Sequence, residues 1–84
     1  MKFCKFPLAV VFKQTVLIPS DGRVLTVQTM SSGDPFLFAL GTVLPGDPGK
    51  QVTVSIYGEA DLYAVGDYLA TFQYQGAAYH AFTE

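Results

Sequence analysis

The 84-residue chain predicts an all-β fold, a small antiparallel barrel of five or six strands. Three observations carry that prediction. No window repeats apolar residues at helical spacing without meeting β-branched residues, Gly or Pro. Apolar and polar residues alternate instead with a period of two, as strands with one buried face require. Clusters of Gly, Pro, Asp and Ser interrupt the alternation at short intervals, each a turn in which Gly supplies positive φ or Pro presets the bend.

The first strand is read over Leu8 to Ile18, ended by Pro19-Ser20-Asp21-Gly22. Arg23 to Met30 follows, with Leu25 and Val27 opposite Thr26 and Gln28. Ser31 to Pro35 then turns the chain into a strand over Phe36 to Val43, which Pro45-Gly46-Asp47-Pro48-Gly49 closes. The clearest alternation is Gln51 to Tyr57, where Val52, Val54 and Ile56 share one face and Gln51, Thr53, Ser55 and Tyr57 the wet one. Gly58 to Gly66 is a loop with room for one helical turn through Glu59-Ala60-Asp61-Leu62. Asp67 to Tyr74 and Ala77 to Thr83 form a hairpin closed at Gln75-Gly76. Short loops imply antiparallel pairing of successive strands, and this many short strands in one small domain, residues 1–84, favours a barrel over a sandwich.

Composition narrows the chemistry. Half of the residues are hydrophobic, and seven Phe with five Tyr exceed what one small core hides, which points to a homodimer or another partner. Cys4 stands alone, so no disulfide forms within a subunit and a reducing, intracellular compartment is the expected setting. The apolar run Leu8 to Phe12 stops at Lys13 and Gln14, too short for a secretory segment or a membrane span. Net charge is -2, yet Lys2, Lys5, Lys13 and Arg23 crowd the first 23 residues, while only acids follow Lys50. The N-terminal third is therefore a weak basic face.

An enzyme needs converging titratable groups, and one His with one Cys outside any signature is a poor inventory. Cys4 and His80 read as a terminal thiol and a strand-edge imidazole, and no metal or cofactor constellation is spelled out. Asp34, Asp47 and Asp67 read as turn-stabilising carboxylates rather than calcium ligands. Pro45 to Lys50 fails as a phosphate loop because Gln51 follows the lysine. What remains is aromatic placement: Phe36 and Phe38 on one strand face, Tyr68, Phe72 and Tyr74 on another, and an interleaved Lys2-Phe3, Lys5-Phe6 cluster. Rings at the mouths of turns are how small β-barrels stack nucleic-acid bases.

Two turns give the pattern a likeness. Gly33-Asp34-Pro35-Phe36 is similar to the Gly-Lys-Pro-Tyr turn of the gene V type single-stranded DNA-binding proteins of filamentous bacteriophages, and Tyr63-Ala64-Val65-Gly66-Asp67-Tyr68 to their Tyr-Ala-Pro-Gly-x-Tyr turn. The resemblance implies an OB-like barrel, a two-fold dimer and cooperative coating of single-stranded DNA. It matches Phe36 to the base-stacking tyrosine, sets Phe38 beside it and puts Tyr74 near the tip of the DNA-binding hairpin. Asp34 stands where that family has a lysine and Ser31 where it has an arginine, so Lys2, Lys5, Lys13 and Arg23 are left to attract the phosphates. The expectation is a non-catalytic DNA-binding protein with Phe36, Phe38, Tyr74, Lys2, Lys5, Lys13 and Arg23 as its contacts. Its alternatives are the same barrel bound to a protein, and a structural subunit of a particle.

Overall fold

The computed structural model describes residues 1–61 and 63–84. It contains seven strands: β1 Lys2–Pro7, β2 Lys13–Ile18, β3 Arg23–Thr29, β4 Pro35–Gly41, β5 Lys50–Gly58, β6 Asp67–Tyr74 and β7 Ala77–Thr83. Among the described residues there is no helix, and at the start of the β5–β6 connection Asp61 N–H donates to the Gly58 carbonyl at 3.2 Å. The helical turn expected there includes Leu62, which lies outside the described residues.

The strands form two antiparallel sheets, a three-stranded one in the order β1-β4-β3 (sheet A) and a four-stranded one in the order β2-β5-β7-β6 (sheet B). Pairing of successive strands holds for β3–β4 and β6–β7 but not elsewhere: β1 reaches over to β4, and β5 separates β2 from β7. The β6–β7 turn is as the sequence reads, with Gln75 and Gly76 both at positive φ (50° and 79°), the pairing of dihedrals that a two-residue hairpin of matching twist demands.

The single strand expected over Leu8–Ile18 is replaced by two shorter ones from different sheets, because the chain bends at residues 8–12. Leu8 drops into the core, and the Gln14 side chain clasps Ala9, donating to its carbonyl at 2.6 Å and accepting from its N–H at 3.1 Å. The bend carries the chain from sheet A to sheet B.

The sheets face one another around Val16, Ile18, Val27, Leu37, Ala39, Val54, Ile56, Ala70, Phe72 and Ala81, all buried. They meet along β3 and β6, where the Thr29 hydroxyl donates to the Gln73 carbonyl at 2.5 Å. On the opposite side β1 and β2 share no ladder, so the two sheets do not close into a barrel.

The wet face expected on β5 is dry at its C-terminal half: Ser55 is 1% and Tyr57 8% exposed. Ser55 donates to Glu84 Oε2 at 3.1 Å, and Tyr57 Oη accepts from the Val65 N–H at 3.1 Å. Edge-to-face rings continue the cover from Phe12 to Tyr57, Phe82 and Tyr68, with centroids 5.5, 5.5 and 5.6 Å apart.

Candidate nucleic-acid interface

β4 is the central strand of sheet A, and its alternation sorts its residues cleanly. Pro35, Leu37, Ala39 and Gly41 are buried against sheet B, while Phe36, Phe38 and Leu40 point to the outer face, each half-buried. Residues directly opposite on antiparallel neighbours share a face. Phe36 is flanked by Pro7 and Gln28, Phe38 by Lys5 and Thr26, and Leu40 by Phe3 and Arg23. The outer face is thus a three-by-three array holding three phenyl rings, two cations and two small or amide polar groups.

Its electrostatics follow from which strands build it. β1, β3 and β4 carry Lys2, Lys5 and Arg23 and no carboxylate. Lys5 Nζ lies 5.6 Å from the Phe36 ring centroid, a cation held over an aromatic face on the diagonal of the ladder. The acids of the chain lie in connections or on sheet B. Asp21 accepts from the Thr42 N–H at 2.9 Å, which holds its carboxyl below the usual range. Asp47 is lowered by the Ser20 hydroxyl first, then by the Gly49 and Ser20 N–H groups, each at 3.0 Å. That last geometry, a carboxylate accepting two residues on, is the turn role the sequence assigns to Asp47.

Of the expected contacts, Phe36, Phe38, Lys5 and Arg23 come together on this face. Lys2 opens β1 opposite Gly41 and therefore belongs to the other face of the sheet, not to the array. Two others lie elsewhere. Lys13 is in sheet B, where its ammonium sits 2.9 Å from Glu84 Oε2 and lowers that carboxyl. Tyr74 is in β6, half-buried against the core and edge-on to Tyr79 at 6.3 Å. Nor do Tyr68, Phe72 and Tyr74 share a face: a bulge between Tyr68 and Ala70 turns Tyr68 outward, where its hydroxyl pairs with Thr71 at 2.7 Å. Phe3 comes from the ring-and-cation cluster read in the sequence, whereas Pro7, Leu40, Thr26 and Gln28 are array members that sequence reading missed. Their signal is the β1–β4–β3 register, which no local pattern encodes.

Cys4 lies in sheet A and His80 in sheet B. His80 belongs to a surface chain, with Nδ1 2.8 Å from Thr71 Oγ1 and Nε2 3.3 Å from Glu59 Oε1. Among the described residues no group of three or more His, Cys, Asp or Glu is placed to hold a metal ion.

The fold and this face define a helix-free, two-sheet β-domain that displays rings and cations on its smaller sheet. Over residues 1–84 the chain matches the family described as Domain of unknown function (DUF7352), and it belongs to that family. No curated protein and no solved structure matches it.

Proposed function

We propose that the chain binds single-stranded DNA on the outer face of sheet A, as the gene V type resemblance suggests. Phe36 and Phe38 stack bases, Phe3 extends the apolar track, and Lys5 and Arg23 attract the phosphates. The observation that carries this reading is the array itself: rings interleaved with cations on an uncovered sheet face whose three strands contain no carboxylate. Base–aromatic stacking tolerates any sequence because every base has a π face, and the cations supply the salt-dependent remainder. On this reading the two sheets, joined at β3–β6 and parted between β1 and β2, are an OB-like barrel left open. The protein is then a non-catalytic, phage-type coating protein working in the cytoplasm of a bacterial host.

A titration of fluorescent oligothymidine tests it. Binding at micromolar concentration or tighter is expected at low salt. Two contacting cations give a slope of log K against log salt of about -1.4, at ~0.7 per phosphate on a single strand. Phe36→Ala and Phe38→Ala each weaken binding by ~1–3 kcal/mol. No binding at low salt overturns the proposal.

A second reading, a protein partner, is favoured by sheet B. Tyr63 and Tyr68 are 87% and 60% exposed there, around one pocket with Asp61 and beside Asp67 in the chain. Rings set among carboxylates repel phosphate and suit a protein surface.

A further inference from the structure

β1 and β2 border the open side of the molecule, and among the described residues each is paired along one edge only. Between them runs an apolar cleft of about 290 Å³ lined by Cys4, Phe6, Leu17, Ile18, Val43 and Leu44. Met1, Phe3, Leu17, Val43 and Leu44, around the same edge, are 57–76% exposed. An unpaired edge beside exposed apolar groups is a template for another strand.

The ladder shows which backbone groups are free. Leu8 N–H donates to the Pro35 carbonyl at 3.1 Å, one step beyond the Pro7↔Phe36 pair and in the same register. In an antiparallel ladder hydrogen-bonded pairs alternate with non-bonded ones, so Lys2, Cys4 and Phe6 turn their backbone groups toward β4. Phe3 and Lys5 turn theirs outward, and Pro7 offers only a carbonyl.

We propose that this edge pairs with the same edge of a second copy, antiparallel, about a two-fold axis at Cys4. Only registers that set odd-numbered residues against odd-numbered ones join the free N–H and C=O groups. Centred on Lys5, the pairing opposes two ammonium groups, which is destabilising. Centred on Phe3, it sets Lys5 against Met1. Centred on Cys4, it places Lys5 opposite Phe3 of the second copy and Lys2 opposite its Phe6, so every cation faces a ring, and it leaves Pro7 at the terminal pair where its missing N–H costs least. The contact is self-complementary, as a two-fold dimer requires, and covers the exposed apolar rim on both copies. The two sheets A become one sheet in the order β3-β4-β1-β1-β4-β3, with both ring-and-cation arrays on one continuous surface.

The pairing does not depend on DNA, and its test uses none. Sedimentation equilibrium of the full chain at micromolar concentration is expected to show a dimer. Phe3→Lys sets two ammonium groups against one another at both symmetry-related pairs and weakens association at least about tenfold, whereas Phe3→Glu sets a carboxylate opposite Lys5 and preserves it. Phe3 is 75% exposed, so both variants should fold and keep the wild-type far-UV circular dichroism spectrum. Cys4 then meets its symmetry mate at a non-hydrogen-bonded pair, ~4.5 Å between Cα atoms and within disulfide range. Diamide, taking up the two protons and two electrons of the paired thiols, should give a covalent dimer that Cys4→Ser abolishes. A monomer under all conditions, a dimer indifferent to Phe3→Lys, or equal weakening by Phe3→Lys and Phe3→Glu overturns the proposal, whatever the DNA titration shows.

Discussion

Phe36 and Leu37 are neighbours with opposite duties, and substitution separates them. Leu37 is fully buried, so Leu37→Ala removes apolar contacts and leaves a cavity, costing ~2–5 kcal/mol of stability in urea denaturation. In a domain this size, with roughly 4–13 kcal/mol in total, that is a large fraction. Phe36 is half-buried on the outer face, so Phe36→Ala should spend its effect on binding and leave the unfolding midpoint nearly in place. Equal losses of stability in the two variants would show that Phe36 serves packing alone. Gly49 is constrained differently: at φ +72°, a Cβ there would lie 2.7 Å from the Ile18 carbonyl oxygen. Gly49→Ala is therefore strained in conformation and in contact, and a loss of more than about 1 kcal/mol is expected by the same measurement.

At the scale of elements, connections are held by carboxylates rather than by packing. Asp21 and Asp47 tie the β2–β3 turn to the segment between β4 and β5, and Glu84 ties the C-terminus to Lys13 and Ser55. All three groups are lowered in the folded state, so what they contribute is present above the unfolded carboxylate values and lost as the pH falls through the lowered ones. Amide exchange at Thr42, Gly49 and Ser20 should accelerate below about pH 4, beyond the ordinary pH dependence of exchange, while β4 amides stay protected. The Gly58 to Gly66 connection depends on a neutral group instead. Tyr57→Phe leaves the Val65 N–H without its acceptor and should cost ~0.5–1.5 kcal/mol, with faster exchange at Val65 as the local sign. Unchanged Val65 exchange in that variant would exclude the hydrogen bond as the anchor of this loop.

At the scale of the molecule, the open side between β1 and β2 and the seam at β3–β6 decide what is displayed. The strands of sheet A carry no acids: Asp34 lies in the β3–β4 turn, Asp21 and Asp47 in the connections between the sheets, and the other acids in or beside sheet B. A chain of net charge -2 can therefore present a cationic face. Whether β1 is a bare edge or the middle of a six-stranded sheet sets the length of that face, which is why the Phe3 charge variants and the oligothymidine titration address the same surface independently.

Much of this was legible in the chain. Turns at Gln75-Gly76 and around Asp47, the strands Asp67–Tyr74 and Ala77–Thr83, and the shared face of Phe36 and Phe38, though not its outward direction, follow from period-two alternation and from residues that alone suit positive φ, both local properties. The bend after Pro7 was not legible, because an apolar run reads alike whether it continues a strand or buries Leu8 in crossing between sheets. Nor was the bulge that turns Tyr68 away from Phe72, since a bulge is a mismatch between two strands and belongs to neither alone. Tertiary structure decided that β1 pairs with β4, that Lys5 and Arg23 flank the rings while Lys13 and Tyr74 do not, and that the sheets part on one side. The sequence by itself determined where strands and turns lie, because those depend on residues a few positions apart. Which strands lie side by side depends on burial shared across the whole chain.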